Sequence, residues 1–176
     1  QAQDLPVKIV SDVPNAISST ISISENLVIT DINVGVDITH TYVPELIITL
    51  TSETGTSVTL LQDTCYVEGL YPIPDINAVF DNDGSDLFCG SSSPVVSGTL
   101  KLPTGTLDVF NGQSTQGDWV LSVTDIYEGD GGSLNNFTLE ISTDGDFVNR
   151  APFALPQSVI AAPQDSVAVV LEAIDP

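Results

Sequence analysis

The chain has 176 residues, 41% of them hydrophobic, and sets 24 Asp and Glu against three basic residues for a formal net charge of −21. That length suits one domain with a real core and part of a second, and the apolar share excludes a disordered acidic tail. The charge excludes nucleic acid, whose binding needs Lys and Arg to displace counterions, and disfavours an anionic membrane.

No basic stretch followed by an apolar core opens the chain, so any secretory signal is expected to have been removed already. No run of about 18 apolar residues offers a transmembrane helix. Short strands are expected near residues 5–10 and 17–24. In "LVITDINVGVDITH" (27–40) Val28, Ile32, Val34, Val36 and Ile38 share one parity, while Asp31, Asn33 and Asp37 take the other. This period of two, rich in β-branched residues, predicts a half-buried strand. His40, the one histidine, carries the core parity of that strand.

"ELIITLT" (45–51) turns inward Leu46, Ile48 and Leu50. The turn "SETGT" leads to "SVTLL" (57–61) in a predicted hairpin, with Gly55 where positive φ is needed. From 62 to 98 the pattern loosens into Pro, Gly, Asp and Ser, bracketed by Cys65 and Cys89, with a strand expected at 77–80. A loop this long in a compact domain is functional or pinned. A Cys65–Cys89 disulfide would pin it, stabilising by about 3–4 kcal/mol; the alternative is two buried thiols. Further strands are expected at 95–101, 106–110, 118–125 and 134–142, with Trp119, Leu121, Val123, Phe137, Leu139 and Ile141 facing the core. No window of helical length shows a 3.6-residue stripe. The pattern predicts an all-β, jelly-roll β-sandwich of about eight strands. It occupies residues 1–147, followed by a linker at 148–156 and, at 157–176, the start of a further β domain.

The chemistry of catalysis is thinly represented. One His on a core face, with no GxSxG elbow, argues against a Ser-His-Asp site. Phosphate-cradling motifs and zinc-spaced Cys/His clusters are missing from the sequence. The acids concentrate in loops, whereas a glycosidase needs a carboxylate pair across a cleft. The densest constellation is "PDINAVFDNDGSD", which brings Asp75, Asn77, Asp81, Asp83 and Asp86 close together with Gly84 among them. Asp125, Glu128 and Asp130 form a second set. Hard oxygen ligands on flexible loops suit Ca²⁺, which takes six to eight of them, although the spacing is not that of an EF-hand. Asp81, Asp83, Asp75 and Asp125 are the candidate ligands; a solvated acidic surface is the alternative.

Several spaced motifs, in order over roughly residues 5–146, resemble the P domain (Homo B domain) of proprotein convertases and bacterial secreted proteins. "SSTISIS" (18–24) is similar to the family's opening strand, and "ITHTYVPELIITLTSETGTSVTLL" to its strand, His-Thr-Tyr and "LTSPSGT" signature. Pro44 and Glu45 stand where the family has Gly-Asp, and the charge is kept. "INAVFDNDG" resembles the "FDDEA" loop through Phe80 and Asp81. "FNGQSTQGDWVLSVTD" (110–125) and "GDGGSLNNFTLEI" (129–141) resemble the two closing blocks, with Phe137 in place of Trp.

The resemblance implies an eight-stranded jelly roll without catalytic residues, supporting the folding of a neighbouring catalytic domain in the same polypeptide, most often a subtilisin-like protease. It implies His40 as a core residue whose ring nitrogens bond to neighbouring strands or loops. It also implies structural Ca²⁺ in some members, which adds Glu45 to the candidate ligands. The segment after the linker resembles the start of an Ig- or cadherin-like repeat. The expected setting is a secreted or cell-surface, monomeric module of a multidomain hydrolase. A carbohydrate- or protein-binding adhesion module on the same scaffold is the alternative, with Tyr66 and Tyr71 as the exposed aromatics available to it.

Overall fold

The computed structural model describes residues 1–146, together with the backbone of two short strands further on. The chain divides into two units, Gln1–Asp146 and Phe147–Pro176. In the second, β10 (Phe153–Ala154) pairs antiparallel with β11 (Ala173–Ile174). Apart from those strands, the expected linker at 148–156 and the expected Ig- or cadherin-like start at 157–176 lie outside the described residues.

The first unit is a β-sandwich of nine strands: β1 (Val7–Ile9), β2 (Asn15–Ile23), β3 (Leu27–His40), β4 (Leu46–Thr51), β5 (Ser57–Leu61), β6 (Ile76–Ser85), β7 (Val96–Leu100), β8 (Gly117–Asp125) and β9 (Gly132–Asp146). One sheet has the order β1-β9-β3-β6-β7, the other β2-β8-β4-β5. Only β4–β5 and β6–β7 are consecutive strands paired within one sheet; every other connection crosses between sheets. All pairings are antiparallel except β6 with β7.

The alternation read from the sequence places the core. Val34, Val36 and Ile38 of β3, Leu46, Ile48 and Leu50 of β4, and Trp119, Leu121 and Val123 of β8 are all buried between the sheets. Trp119 meets Phe110 edge-on at a centroid distance of 5.1 Å, and its indole N–H donates to the Thr115 carbonyl at 2.9 Å. Burying each such aromatic contributes about 1.5–3 kcal/mol. The expected hairpin is formed by β4 and β5, and Gly55 takes φ +84° in its turn.

Three local expectations are corrected. Near the start of β3, register shifts flank Ile29, so Ile29 rather than Val28 enters the core; a bulge moves side chains to the opposite face. Residues 107–110 form a 3₁₀ turn instead of a strand, because the Thr106 side chain accepts the Asp108 N–H and caps it. The strand expected at 77–80 runs on to Ser85. Its partner there is Leu100 of β7, whose backbone passes so near Gly84 that a Cβ would lie 2.7 Å from it.

Candidate functional site

The functional reading turns on one end of the sandwich, where β3 finishes, β4 begins, β8 finishes and β6 begins. At the end of β3, His40 is 1% exposed. Its Nδ1 accepts the Tyr42 N–H at 3.2 Å, so the ring proton sits on Nε2 and points at Asp125 Oδ2, 3.3 Å away. Asp125, the last residue of β8, is also buried, and its Oδ1 accepts the Tyr127 N–H at 3.3 Å. Both imidazole nitrogens are engaged and the ring is closed to solvent. His40 points into the core, as its parity implied; it fastens two strands and the turn after them and offers no nitrogen to a substrate. Beside it, a Cβ on Gly132 of β9 would lie 1.7 Å from the Thr39 carbonyl oxygen, so no larger residue fits that crossing.

Asp75 backs the same corner with φ +65°, a backbone conformation that Asp tolerates better than most residues. Its Oδ1 accepts the His40 N–H at 3.0 Å and its Oδ2 accepts the Ser93 hydroxyl. The 3₁₀ turn Val43–Glu45 follows, with Pro44 in its first turn. The Glu45 carbonyl receives the Ile126 N–H at 3.2 Å, tying this turn to the residues after β8. Its side chain is different: Oε2 is buried and has no hydrogen-bond partner. Burial, reinforced by the nearby negative charges of Asp130 and Asp125, pushes the Glu45 carboxyl up to about 7. Asp130 accepts the hydroxyls of Tyr71, at 2.9 Å, and Thr41.

The disulfide is formed between Cys65 and Cys89, with Cα atoms 5.5 Å apart. It holds the 62–75 segment over this end, where Tyr66, Val67, Leu70 and Tyr71 are exposed. Tyr42, Pro44, Glu45, Asp63, Tyr66 and Tyr127 line a cavity of about 260 Å³. Tyr127, 59% exposed, escaped the sequence reading because it follows a strand of regular parity. Its signal was its place two residues after an acid that ends a core strand.

The other candidate ligands lie elsewhere. Asp81 and Asp83 sit on β6, where Asp81 Oδ1 accepts the Asp83 N–H at 2.7 Å. Asp81 lies six residue steps along the strand from Asp75, about 20 Å at strand rise. The five candidates therefore fall into two groups, Asp81 with Asp83 on β6, and Asp75, Asp125 and Glu45 at the His40 corner. Among the described residues, no three His, Cys, Asp or Glu side chains gather closely enough to hold a metal ion.

Residues 29–141 match the family model of the proprotein convertase P-domain. Among solved structures the chain is similar to the serine protease of Aeromonas sobria in complex with the chaperone ORF2, at 21% identity and a TM-score of 0.49, covering 82% of this chain and 27% of that one. It is similar also to the serine protease of Aeromonas sobria, at 19% identity and a TM-score of 0.44, covering 80% and 28%. The chain thus spans about a quarter of the length of these structures. Comparison with curated proteins gives no match.

Proposed function

The chain belongs to the proprotein convertase P-domain family, and from that premise we propose that it is an accessory domain of a secreted multidomain hydrolase, a protease in the first instance. In proprotein convertases the P domain is a non-catalytic accessory domain. The role proposed here is to dock on a neighbouring catalytic domain of the same polypeptide and support its folding and stability. The observation that carries this reading is the family match, which spans the whole of the His40 corner. The closed geometry of His40 agrees with it: the residue best suited by type to be a base is spent on joining strands. A disulfide agrees with an oxidising compartment outside the cytosol.

The experiment is to express the full gene product with and without residues 1–146. Loss of soluble, folded neighbouring domain on deletion is the expected result. A neighbour that folds, melts and works equally well without them would overturn the proposal. The alternative of a glycan-binding module keeps its two named aromatics, Tyr66 and Tyr71, on the surface, while Trp119 is wholly buried.

Calcium enters this proposal as a loosely held counter-ion of a surface carrying −21 charges. It is not given a dedicated shell, because its candidate ligands are dispersed. Chelator-stripped protein should melt at nearly the same midpoint in Ca²⁺ and in NaCl of matched ionic strength. A rise of several degrees specific to Ca²⁺, erased by Asp81→Asn, would point to a built site instead.

A further inference from the structure

The cavity at the His40 end combines two things that seldom meet on a solvated acidic surface. Three tyrosines, Tyr42, Tyr66 and Tyr127, and two carboxylates, Glu45 and Asp63, face one space of about 260 Å³. Tyr66 and Tyr127 keep 67% and 59% of their surface in solvent, although nothing in their own hydrogen bonding requires it. Each wall is held from behind. The disulfide at Cys65 fixes the residue next to Tyr66. The Ile126 N–H bonds the Glu45 carbonyl next to Tyr127, and Tyr42 is anchored by its N–H on His40 Nδ1. Glu45 Oε2 is buried at this site without a partner, and a buried carboxylate oxygen left unpaired is costly.

We propose that this pocket receives one arginine side chain presented by a partner polypeptide. Aromatic faces attract a cation through their quadrupole, and carboxylates beside them add Coulomb attraction. A guanidinium meets both demands, because its plane stacks on a ring while its edge donates to a carboxylate. An ammonium is compact, strongly hydrated and less suited to stacking. Calcium needs six to eight hard oxygens, chiefly carboxylates and carbonyls, whereas this pocket presents two carboxylates beside three phenol rings. Its volume is below the roughly 300–1,000 Å³ of small-molecule sites, which suits a single side chain. The larger cavity beside β6 and β7, lined by Asn77, Ala78, Val79, Pro94 and Ser97–Thr99, has neither charge nor aromatic ring. The inference rests on the pocket itself and stands or falls separately from the accessory role.

The test uses the 176-residue chain and two probes, Nα-acetyl-arginine amide and its neutral isostere Nα-acetyl-citrulline amide, at fixed ionic strength. NMR follows the tyrosine ring resonances. The titration is repeated on an Arg150→Gln background, so that the chain's one arginine cannot compete with the probe. The expected result is saturable shifts at Tyr42, Tyr66 and Tyr127 with the arginine probe, and binding at least tenfold weaker with citrulline. Tyr66→Ala, a change at an exposed ring, should weaken binding severalfold without moving the melting midpoint. Glu45→Gln should weaken it too. Equal or unsaturable shifts with both probes would overturn the proposal. So would unchanged binding in Tyr66→Ala, or the same tyrosine signals saturating with CaCl₂ but not with the arginine probe.

Discussion

The two ends of β6 carry similar acidic sequence and opposite solutions to it. At the Asp81 end the side chains of Asp81 and Asn82 tie the bend to the chain around it. Asp81 accepts the Asp83 N–H, Asn82 Oδ1 accepts the Leu107 N–H at 3.0 Å and the Thr106 hydroxyl at 3.1 Å, and Asn82 Nδ2 donates to Asp108 at 2.9 Å. At the Asp75 end, Asp75 and Asp125 are equally well served, but Glu45 is left with a buried, unpartnered oxygen beneath exposed tyrosines. Carboxylates bonded within the chain hold the fold together; the buried oxygen of Glu45 without a bond is the one the proposed arginine pocket uses. Counting acids cannot separate these cases, and partners can.

The largest effect that would sharpen this contrast comes from the disulfide. Replacing Cys65 and Cys89 by Ser should cost about 3.5 kcal/mol of stability on the chain-entropy estimate. It should also raise amide exchange at 62–75 while leaving β6 near Asp81 protected, as hydrogen exchange would report. Uniform loss of protection at both ends would break the distinction.

Next comes His40→Ala, which strips Asp125 of its imidazole partner and leaves a buried carboxylate. A loss of about 2–3 kcal/mol is expected in denaturant unfolding. A change within about 0.5 kcal/mol would place His40 among ordinary surface substitutions. Asn82→Ala tests the other end: the Leu107 N–H and the Thr106 hydroxyl lose their acceptor, for about 1–2 kcal/mol, with no effect on the tyrosine ring signals.

The smallest effect belongs to Glu45. Its carboxyl titrates at about 7 in the folded protein against an ordinary 4.5. The folded state thus binds more protons than the unfolded state between those values, so this group's contribution falls as pH rises from about 4.5 to about 7 and then levels off. Glu45→Gln should flatten that part of the melting profile, and the variant should gain relative to the parent at pH 8 compared with pH 4.5. Parallel profiles would show that this oxygen is not held out of water.

Much of this protein is legible in its residues. Alternation in β3, β4 and β8 determined which side chains face inward, because a pleated strand has a strict period of two. The same parity put His40 in the core, and the disulfide between Cys65 and Cys89 followed from their bracketing of an irregular stretch. Order and spacing of motifs placed the chain in its family. Other features needed the assembled fold. The core place of Ile29 depends on a bulge in its pairing with β9, and the turn at 107–110 is held, beyond its local cap from Thr106, by Asn82, whose Oδ1 accepts the Leu107 N–H and the Thr106 hydroxyl. Asp75 and Asp125 stand 35 and 85 positions from His40 along the chain, and only the assembled sheets join them. Asp75 and Asp81, neighbours in the sequence, are carried apart because an extended strand advances about 3.3 Å at each residue. Whether a carboxylate is paired, solvated or stranded depends on which backbone and side-chain groups reach it in three dimensions, and that is decided by tertiary structure alone.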